Sequence, residues 1–204
     1  MPEYKSETIK LPEPVQGSNT SIEEALLKRR SIRSYKDSSL TLAEVSQLLW
    51  AAQGITSPRG LRTAPSAGAI YPLEVYVVAG NVDDLPDGVY RYNPYKHELV
   101  RVAEGDKRTE LCNAALGQTS VRNAAAVIVF SAVYERTTIK YGDRGIQYVY
   151  METGHAAQNV FLQTVPLNLR TVVIGAFYGD KVKKVLKMSD REHPLYIMPV
   201  GRIK

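Results

Sequence analysis

The segment Asp143–Thr164, DRGIQYVYMETGHAAQNVFLQT, is the longest helical pattern in the sequence. Apolar and small side chains recur along it at intervals of three and four residues, so they share one face of a helix. That face consists of Ile146, Val149, Tyr150, Thr153, Ala157, Val160, Phe161 and Thr164. The small residues Gly154, Ala156 and Ala157 form a patch where another backbone can approach closely. The sequence therefore predicts a long core helix over about 143–164, with the other elements arranged around it.

Shorter helices and strands alternate on both sides of this segment. Ser21 is a helix cap for residues up to about Arg29, and Thr41 with Glu44 forms a capping box that opens a helix ending at Gly54. Further helices are predicted over 106–116 and 180–187, strands over 73–80, 125–133, 171–177 and 195–200, and a hairpin over 88–102. Because helices and strands interleave with one hairpin, the predicted class is α+β with a mainly antiparallel or mixed sheet.

The composition indicates a single globular domain. The chain has 204 residues, 44% of them hydrophobic and 23% charged, and carries a net charge of +5. This charge suits an anionic ligand such as a phosphate and does not require nucleic acid. Residues 1–20 are polar and rich in proline, so we expect an extended N-terminal arm followed by one domain over 21–204.

Several kinds of site and location are disfavoured by the same composition. With one cysteine and three histidines, neither an internal disulfide nor a metal site is expected. The N-terminus has no apolar core of a signal peptide, and no run of 18 apolar residues occurs. We therefore expect a cytoplasmic protein that does not bind a membrane.

The segment Arg29-Arg30-Ser31-Ile32-Arg33-Ser34-Tyr35 is the first candidate binding motif. Three guanidinium groups and a hydroxyl lie within five residues, where the first predicted helix ends. Arginine forks match the oxygen geometry of a phosphate, and a serine hydroxyl is another donor. The alternative interpretation is a solvated basic face.

Two later segments have features that a cofactor-binding site would use. The loop Pro65-Ser66-Ala67-Gly68 has residues small enough for backbone to lie against a cofactor. Ile174-Gly175-Ala176 lies at the end of the strand predicted over 171–177, where a main-chain N–H can face a cofactor ring. Each segment alone is a weak signal.

Together and in this order, the three segments resemble the segments that bind flavin mononucleotide (FMN) in the nitroreductase superfamily, where a main-chain N–H faces the reactive flavin nitrogen N5. The stretches 62–78, 141–145 and 152–159 resemble a branch that includes azoline dehydrogenases, which oxidise thiazolines to thiazoles on peptides. The resemblance covers about residues 21–202. It implies an α+β sandwich and a homodimer with two FMN sites at its interface. It assigns Arg29, Arg30 and Ser31 to the phosphate and ribityl chain, and Arg33 to the pyrimidine edge.

The chain also departs from the family pattern. Leu167-Asn168-Leu169-Arg170 replaces a glycine-containing turn, and Asn168 is expected to adopt the left-handed backbone instead. Only residues 134–142 are available for a lid over the flavin. Tyr141 and Arg144 lie where the lid is expected, and they are candidates for either substrate-side roles or surface packing. Among the basic residues that hold phosphate near the family's C-terminus, Arg202 is the match.

The resemblance implies an oxidoreductase that transfers hydride through flavin N5 in a ping-pong cycle. The donor would be NADH or NADPH, acting transiently, or an oxidisable small-molecule substrate. No catalytic side chain beyond the flavin is required, because the cofactor carries the chemistry. Two alternatives remain: a flavin-binding protein for storage or sensing without turnover, and an azoline dehydrogenase acting on a modified peptide.

Overall fold

The computed structural model describes residues 7–203, which form one sheet with helices on both of its faces. The strands are β1 (Thr8–Lys10), β2 (Leu73–Ala79), β3 (Gly88–Asn93), β4 (Glu98–Glu104), β5 (Ala126–Ala132), β6 (Leu169–Thr171) and β7 (His193–Arg202). The helices are α1 (Ile22–Lys28), α2 (Leu42–Gln53), α3 (Arg108–Ala114), α4 (Thr119–Arg122), α5 (Glu135–Tyr141), α6 (Arg144–Thr164) and α7 (Gly179–Leu186). The strand order is β1-β4-β3-β2-β5-β7-β6, and each neighbouring pair is antiparallel. The predicted α+β class is confirmed.

Two apolar layers hold the helices on the sheet. Side chains of α2 and α6, among them Leu48 and Val160, pack with Ile128 on one face. Side chains of α3 and α7, among them Leu111 and Leu186, pack on the other face. Strand β5 is buried along its whole length, as its continuous apolar run predicts.

The long core helix is confirmed as α6, which has 21 residues. Most of the predicted face is buried, but Tyr150 is 54% exposed because it lies at the flank, where its hydroxyl bonds that of Tyr134. Ala156 and Ala157 are buried within their own chain. The close-approach patch predicted at the small residues is therefore reduced to Gly154, where an added Cβ would meet nothing within 4 Å.

The local signals in the sequence are confirmed at Ser21, Thr41, Gly54 and Asn168. The Ser21 side chain accepts a hydrogen bond from the backbone of Glu24, and both bonds of the Thr41–Glu44 capping box are formed. Helix α2 ends at Gly54, and Asn168 has a φ of 54°, the left-handed backbone expected for it.

Two predicted elements are shorter in the structure. The strand expected over 171–177 ends at Thr171, because beyond it only Ile174 pairs with β7, opposite Ile197. The helix expected over 106–116 spans only α3, because Leu116 and Gly117 adopt the left-handed backbone.

The N-terminal arm is fastened to the domain over the part that the structure describes. Strand β1 pairs with β4 at the edge of the sheet. Further on, the Gln47 side chain bonds both the N–H and the carbonyl of Val15. Residues 1–6 of the predicted arm lie outside the described residues. Within residues 7–203, no helix combines the length and apolar character that a membrane crossing needs.

Candidate functional site

The arginine segment lies along the edge strand β6. Ser31 is opposite Thr171 in a parallel bridge, and the Ile32 N–H donates to the Thr171 carbonyl at 3.0 Å. The Tyr35 hydroxyl donates to the carbonyls of Ile32 and Pro199. The Tyr35 ring covers Gly201, where an added Cβ would lie 2.6 Å from it. Backbone pairing and one buried tyrosine thus fix this segment to the end of the sheet.

The polar side chains of this segment remain at the surface. The Arg29 guanidinium lies over the Phe161 ring, 5.2 Å from its centroid, and the Arg30 guanidinium donates to nearby backbone carbonyls. Ser31 and Arg33 are exposed. This leaves three cations and a hydroxyl available to an anion at one edge of the molecule.

The segment Ile174-Gly175-Ala176 lies at the same end of the fold. Thr171, which pairs with Ser31, precedes Ile174 by three residues, and Ile174 exchanges two backbone hydrogen bonds with Ile197. Gly175 and Ala176 then leave the sheet and are exposed. The structure therefore brings two of the three predicted segments together.

The Pro65–Gly68 loop has an unusual backbone. Gly68 has a φ of 61°, and the non-glycine residues Ala69 and Tyr71 also have positive φ values of 53° and 54°. A side chain at Gly68 would collide with groups of α5, because an added Cβ would lie 2.7 Å from Tyr141 Oη and 2.8 Å from Lys140 Nζ. The positive φ thus favours glycine here, and a side chain would in addition displace the ends of the Tyr141 and Lys140 side chains.

The loop and the arginine segment lie on opposite flanks of α6. The loop side chain Ser66 interacts with Glu152, whereas Arg29 lies over Phe161. Glu152 and Phe161 are nine positions apart in the sequence, which is about 13 Å along the helix axis and about two and a half turns. Their side chains therefore leave opposite sides of the helix. The structure therefore does not bring the Pro65–Gly68 loop of a chain together with that chain's own arginine segment.

The candidates near the lid have different positions. Tyr141 is half-buried, with its hydroxyl at the loop and its ring edge-on to Tyr148 at 5.2 Å. Arg144 is exposed at the start of α6. Lys140, which the sequence analysis missed, also reaches the loop; its position beside Tyr141 on a short helix was the signal available.

Arg202 is occupied by contacts within the fold. Its guanidinium makes two hydrogen bonds of 3.0 Å to the Glu44 carboxylate, and its Nε donates to the Ser39 carbonyl. The predicted phosphate contact at Arg202 would have to compete with this ion pair.

A buried carboxyl beneath the loop was also missed. Glu152 is 2% exposed, and burial raises its pKa to about 7, only partly offset by the Ser66 hydroxyl, the Arg62 charge and the Gln53 amide. Its signal in the sequence was an acidic residue beside the buried face of a core helix.

Comparison with known proteins identifies several relatives. The Nitroreductase family model matches residues 26–202. Protein MJ1384 of Methanocaldococcus jannaschii, named as a nitroreductase, is 50% identical over 181 residues, covering 89% of this chain and 90% of that protein. Microcin B17-processing protein McbC of Escherichia coli is 28% identical over 172 residues, which are 80% of this chain and 63% of McbC. FMN reductase (NADPH) of Bacillus subtilis is 26% identical over 87% of this chain and 64% of that protein.

Solved structures have the same fold. A nitroreductase-type protein from Anabaena variabilis superposes with a TM-score of 0.85 at 32% identity, covering 98% of this chain and 42% of that one. The Escherichia coli microcin synthetase McbBCD, solved with truncated pro-MccB17 bound, gives a TM-score of 0.74 at 25% identity, covering 98% and 79%. The predicted resemblance, including the branch linked to modified peptides, is confirmed.

Proposed function

Since the chain belongs to the nitroreductase family and is similar to a protein named FMN reductase (NADPH), we propose that it is itself an FMN-dependent oxidoreductase. When bound, FMN supplies hydride transfer at N5, with NADH, NADPH or an oxidisable substrate as donor, in a ping-pong cycle. Everything else in the proposal concerns how this chain's residues hold and orient the cofactor.

The observation that carries the proposal is the meeting of the arginine segment with residues 174–176. Arg29, Arg30 and Ser31 present phosphate-type donors, and Arg33 is exposed beside them. Gly175 lies four residues after Thr171, the bridge partner of Ser31, and an added Cβ at Gly175 would meet nothing within 4 Å. A ligand with a phosphate at one end and a flat ring at the other fits this arrangement of charge and free backbone.

The donor chemistry fits FMN at both ends. A buried hydroxyl, Thr171 Oγ1, has no hydrogen-bond partner among the described residues and lies opposite Ser31 in the bridge. A positive group near the pyrimidine edge, here assigned to Arg33, favours the reduced flavin because reduction puts negative charge there. We assign the backbone of Ile174, Gly175 and Ala176 to the region of N5.

We further propose a homodimer in which the Pro65–Gly68 loop of one chain completes the site of the other. Within one chain the loop lies on the opposite flank of α6 from Arg29, so it cannot easily serve the same flavin. Helix α6 also presents an accessible second face, which consists of Gln147, Met151, Gly154, His155 and Gln158. These residues recur at intervals of three and four, as a helix packing against a partner requires.

The absorbance spectrum of the purified protein tests the cofactor assignment. We expect a yellow protein, or stoichiometric uptake of added FMN, and bleaching by NADH or NADPH. FAD should bind more weakly, because Arg29, Arg30 and Ser31 would close around a terminal phosphate and leave little room for an adenylate. A colourless protein that takes up no FMN would contradict the proposal, whereas bound FMN that no reductant bleaches would favour a storage or sensing role.

A second candidate is an azoline dehydrogenase. It is favoured by the relation to McbC and by the similarity to a complex solved with a peptide bound. This reaction converts a thiazoline to a thiazole by removing two hydrogens; FMN held by this chain would accept one as a hydride, and the other would leave as a proton. Incubating the FMN-loaded protein with a thiazoline-containing peptide and following the loss of two hydrogens by mass spectrometry would separate this activity from reduction of small molecules.

A further inference from the structure

Three polar atoms buried beneath the Pro65–Gly68 loop have no hydrogen-bond partner among the described residues. They are Gln53 Nε2 at the end of α2, Arg62 Nε before the loop, and Glu152 Oε1 on α6. Arg62 Nη1 donates to Gln53 Oε1 at 2.8 Å, so two of these side chains are in direct contact. Buried polar groups nearly always have a hydrogen-bond partner. Three neighbouring groups without one, on α2, on the segment before the loop and on α6, therefore require an explanation.

Glu152 is the member whose state can change near neutral pH. It is 2% exposed, and burial raises its pKa to about 7. Its neutral carboxyl tolerates this environment, whereas a carboxylate with an unpaired oxygen would be costly there. The charged group that acts on it is Arg62; Gln53 from α2 and Ser66 from the loop are neutral. Lys140 and Tyr141 of α5 lie against the loop at Gly68.

Ser66 and Arg62 both interact with Glu152, and both also form hydrogen bonds with Tyr71 that hold the loop in its conformation. Ser66 Oγ accepts from the Tyr71 N–H at 2.9 Å, and the Arg62 N–H donates to Tyr71 Oη at 3.1 Å. The Arg62 guanidinium also lies over the Tyr71 ring, 4.5 Å from its centroid. Because Ala69 and Tyr71 have strained positive φ values, the surroundings must hold this conformation in place.

We propose that Glu152 is a positioning residue for the Pro65–Gly68 loop, acting through Ser66 and Arg62. With a neutral carboxyl, Arg62 stays stacked on Tyr71 and the loop keeps the conformation described. On ionisation, Glu152 Oε1 attracts the unpaired N–H groups of Arg62 and Gln53, which draws Arg62 from Tyr71 and shifts the loop. The consequence for the cofactor rests on the proposed function: FMN affinity falls as the pH rises through about 7.

Trp50 provides a readout that does not depend on flavin. It is the single tryptophan of the chain, and the Thr63 hydroxyl at the base of the loop donates to its carbonyl at 3.1 Å. In wild-type protein without flavin, Trp50 fluorescence should change sigmoidally between about pH 5.5 and 8.5, with a midpoint near 7. Glu152→Gln, which keeps the shape and removes the ionisation, should abolish this transition. Glu74→Gln is the matched control, because Glu74 lies in β2, directly after the loop, and its carboxylate is already paired with Arg136 at 2.6 Å.

Cofactor titration in the same variants completes the test. Wild-type affinity for FMN should fall about tenfold between about pH 6 and 8.5, which corresponds to a one-unit change in a linked pKa, and Glu152→Gln should show a flat profile. Riboflavin is titrated in parallel, because the phosphate of FMN itself ionises near pH 6. If Trp50 titrates identically in wild type and Glu152→Gln, the positioning role is overturned whatever the flavin does. If Glu152→Gln loses the transition but the wild-type protein binds no flavin at any pH, the positioning role of Glu152 is supported and the FMN proposal is contradicted.

Discussion

Single residues decide how an anion is held at the edge of this fold. Arg29 and Arg30 are adjacent, yet they have different surroundings. Arg29 lies on the Phe161 ring, which orients its guanidinium, whereas Arg30 bends back to the carbonyls of Leu27 and Arg29. Because a stacked guanidinium is already ordered, it loses less entropy when it binds a phosphate.

Arg29→Ala should therefore weaken FMN binding by about tenfold to a hundredfold, since a charge-assisted contact contributes about 1.5–3 kcal/mol. Fluorescence titration with FMN measures this effect. Riboflavin, which lacks the phosphate, is the control ligand, and its affinity should change little. Unchanged FMN affinity in both Arg29→Ala and Arg30→Ala would leave the solvated basic face as the correct interpretation.

Glu192 shows the opposite electrostatic behaviour from Glu152. Burial alone would raise its pKa, but hydrogen bonds from Tyr76, Ser189 and Ser131 outweigh burial and lower the pKa below its ordinary value of 4.5. A lowered folded-state pKa means that this stabilisation is complete above the unfolded-state pKa and is lost as the pH falls through the folded one.

Glu192→Gln should lower the free energy of unfolding by about 2–4 kcal/mol at pH 7, because an amide offers a donor where the carboxylate accepted hydrogen bonds. Urea unfolding between pH 3 and pH 7 is the measurement. The difference between wild type and variant should shrink toward the acid end. A difference that stays constant with pH would show that the carboxylate charge is not what stabilises this site.

At the scale of elements, helix α2 is coupled to the last strand through one carboxylate. Glu44 completes the capping box with Thr41 and also forms the paired hydrogen bonds to Arg202 of β7. This strand end, with the Tyr35 ring over Gly201, supports the arginine segment. The Glu44 side chain therefore stabilises both the start of α2 and the end of β7 that supports the arginine segment.

Thr41→Ala should cost about 1 kcal/mol of unfolding free energy, the usual effect of losing a cap. Glu44→Ala should cost more, because it also leaves Arg202 without its partner. Thermal or urea unfolding of both variants, and of Glu44→Ala combined with Arg202→Ala, gives the coupling. Strictly additive effects of Glu44 and Arg202 would argue against a stabilising ion pair.

At the scale of the whole molecule, the accessible face of α6 predicts self-association. Met151 is 50% exposed, and Gly154 has open space around its Cα. An obligate interface of this kind buries about 2,000 Å² or more. FMN that contacts both chains would also stabilise the dimer by mass action.

Sedimentation at micromolar concentration should show a dimer that added FMN stabilises. Gly154→Glu should dissociate it while leaving each chain's own packing intact, because an added Cβ meets nothing there. Lys184→Glu, at an exposed position of α7, is the control and should remain dimeric. A monomer that still binds FMN tightly would refute the shared site while leaving the cofactor assignment in place.

The sequence by itself determined the local elements of this protein. The capping box at Thr41, the left-handed backbone at Asn168 and the buried face of α6 all follow from short-range sterics and periodicity, which a single chain segment expresses without its neighbours. The resemblance to the nitroreductase family could also be recognised from three short motifs: the arginine segment, the Pro65–Gly68 loop and residues 174–176. The sequence did not show that the strand predicted over 171–177 ends at Thr171, because the length of a strand depends on which residues of the neighbouring strand pair with it.

Only the tertiary structure decided how the candidate site is assembled. Pairing of Ser31 with Thr171 joins segments that are 140 residues apart. The two and a half turns of α6 between Glu152 and Phe161 place the Pro65–Gly68 loop and Arg29 on opposite flanks of the helix. The engagement of Arg202 by Glu44, and the unpaired polar atoms around Glu152, likewise arise from contacts between distant elements. Burial and electrostatic environment are properties of these contacts, so no local pattern of residues specifies them.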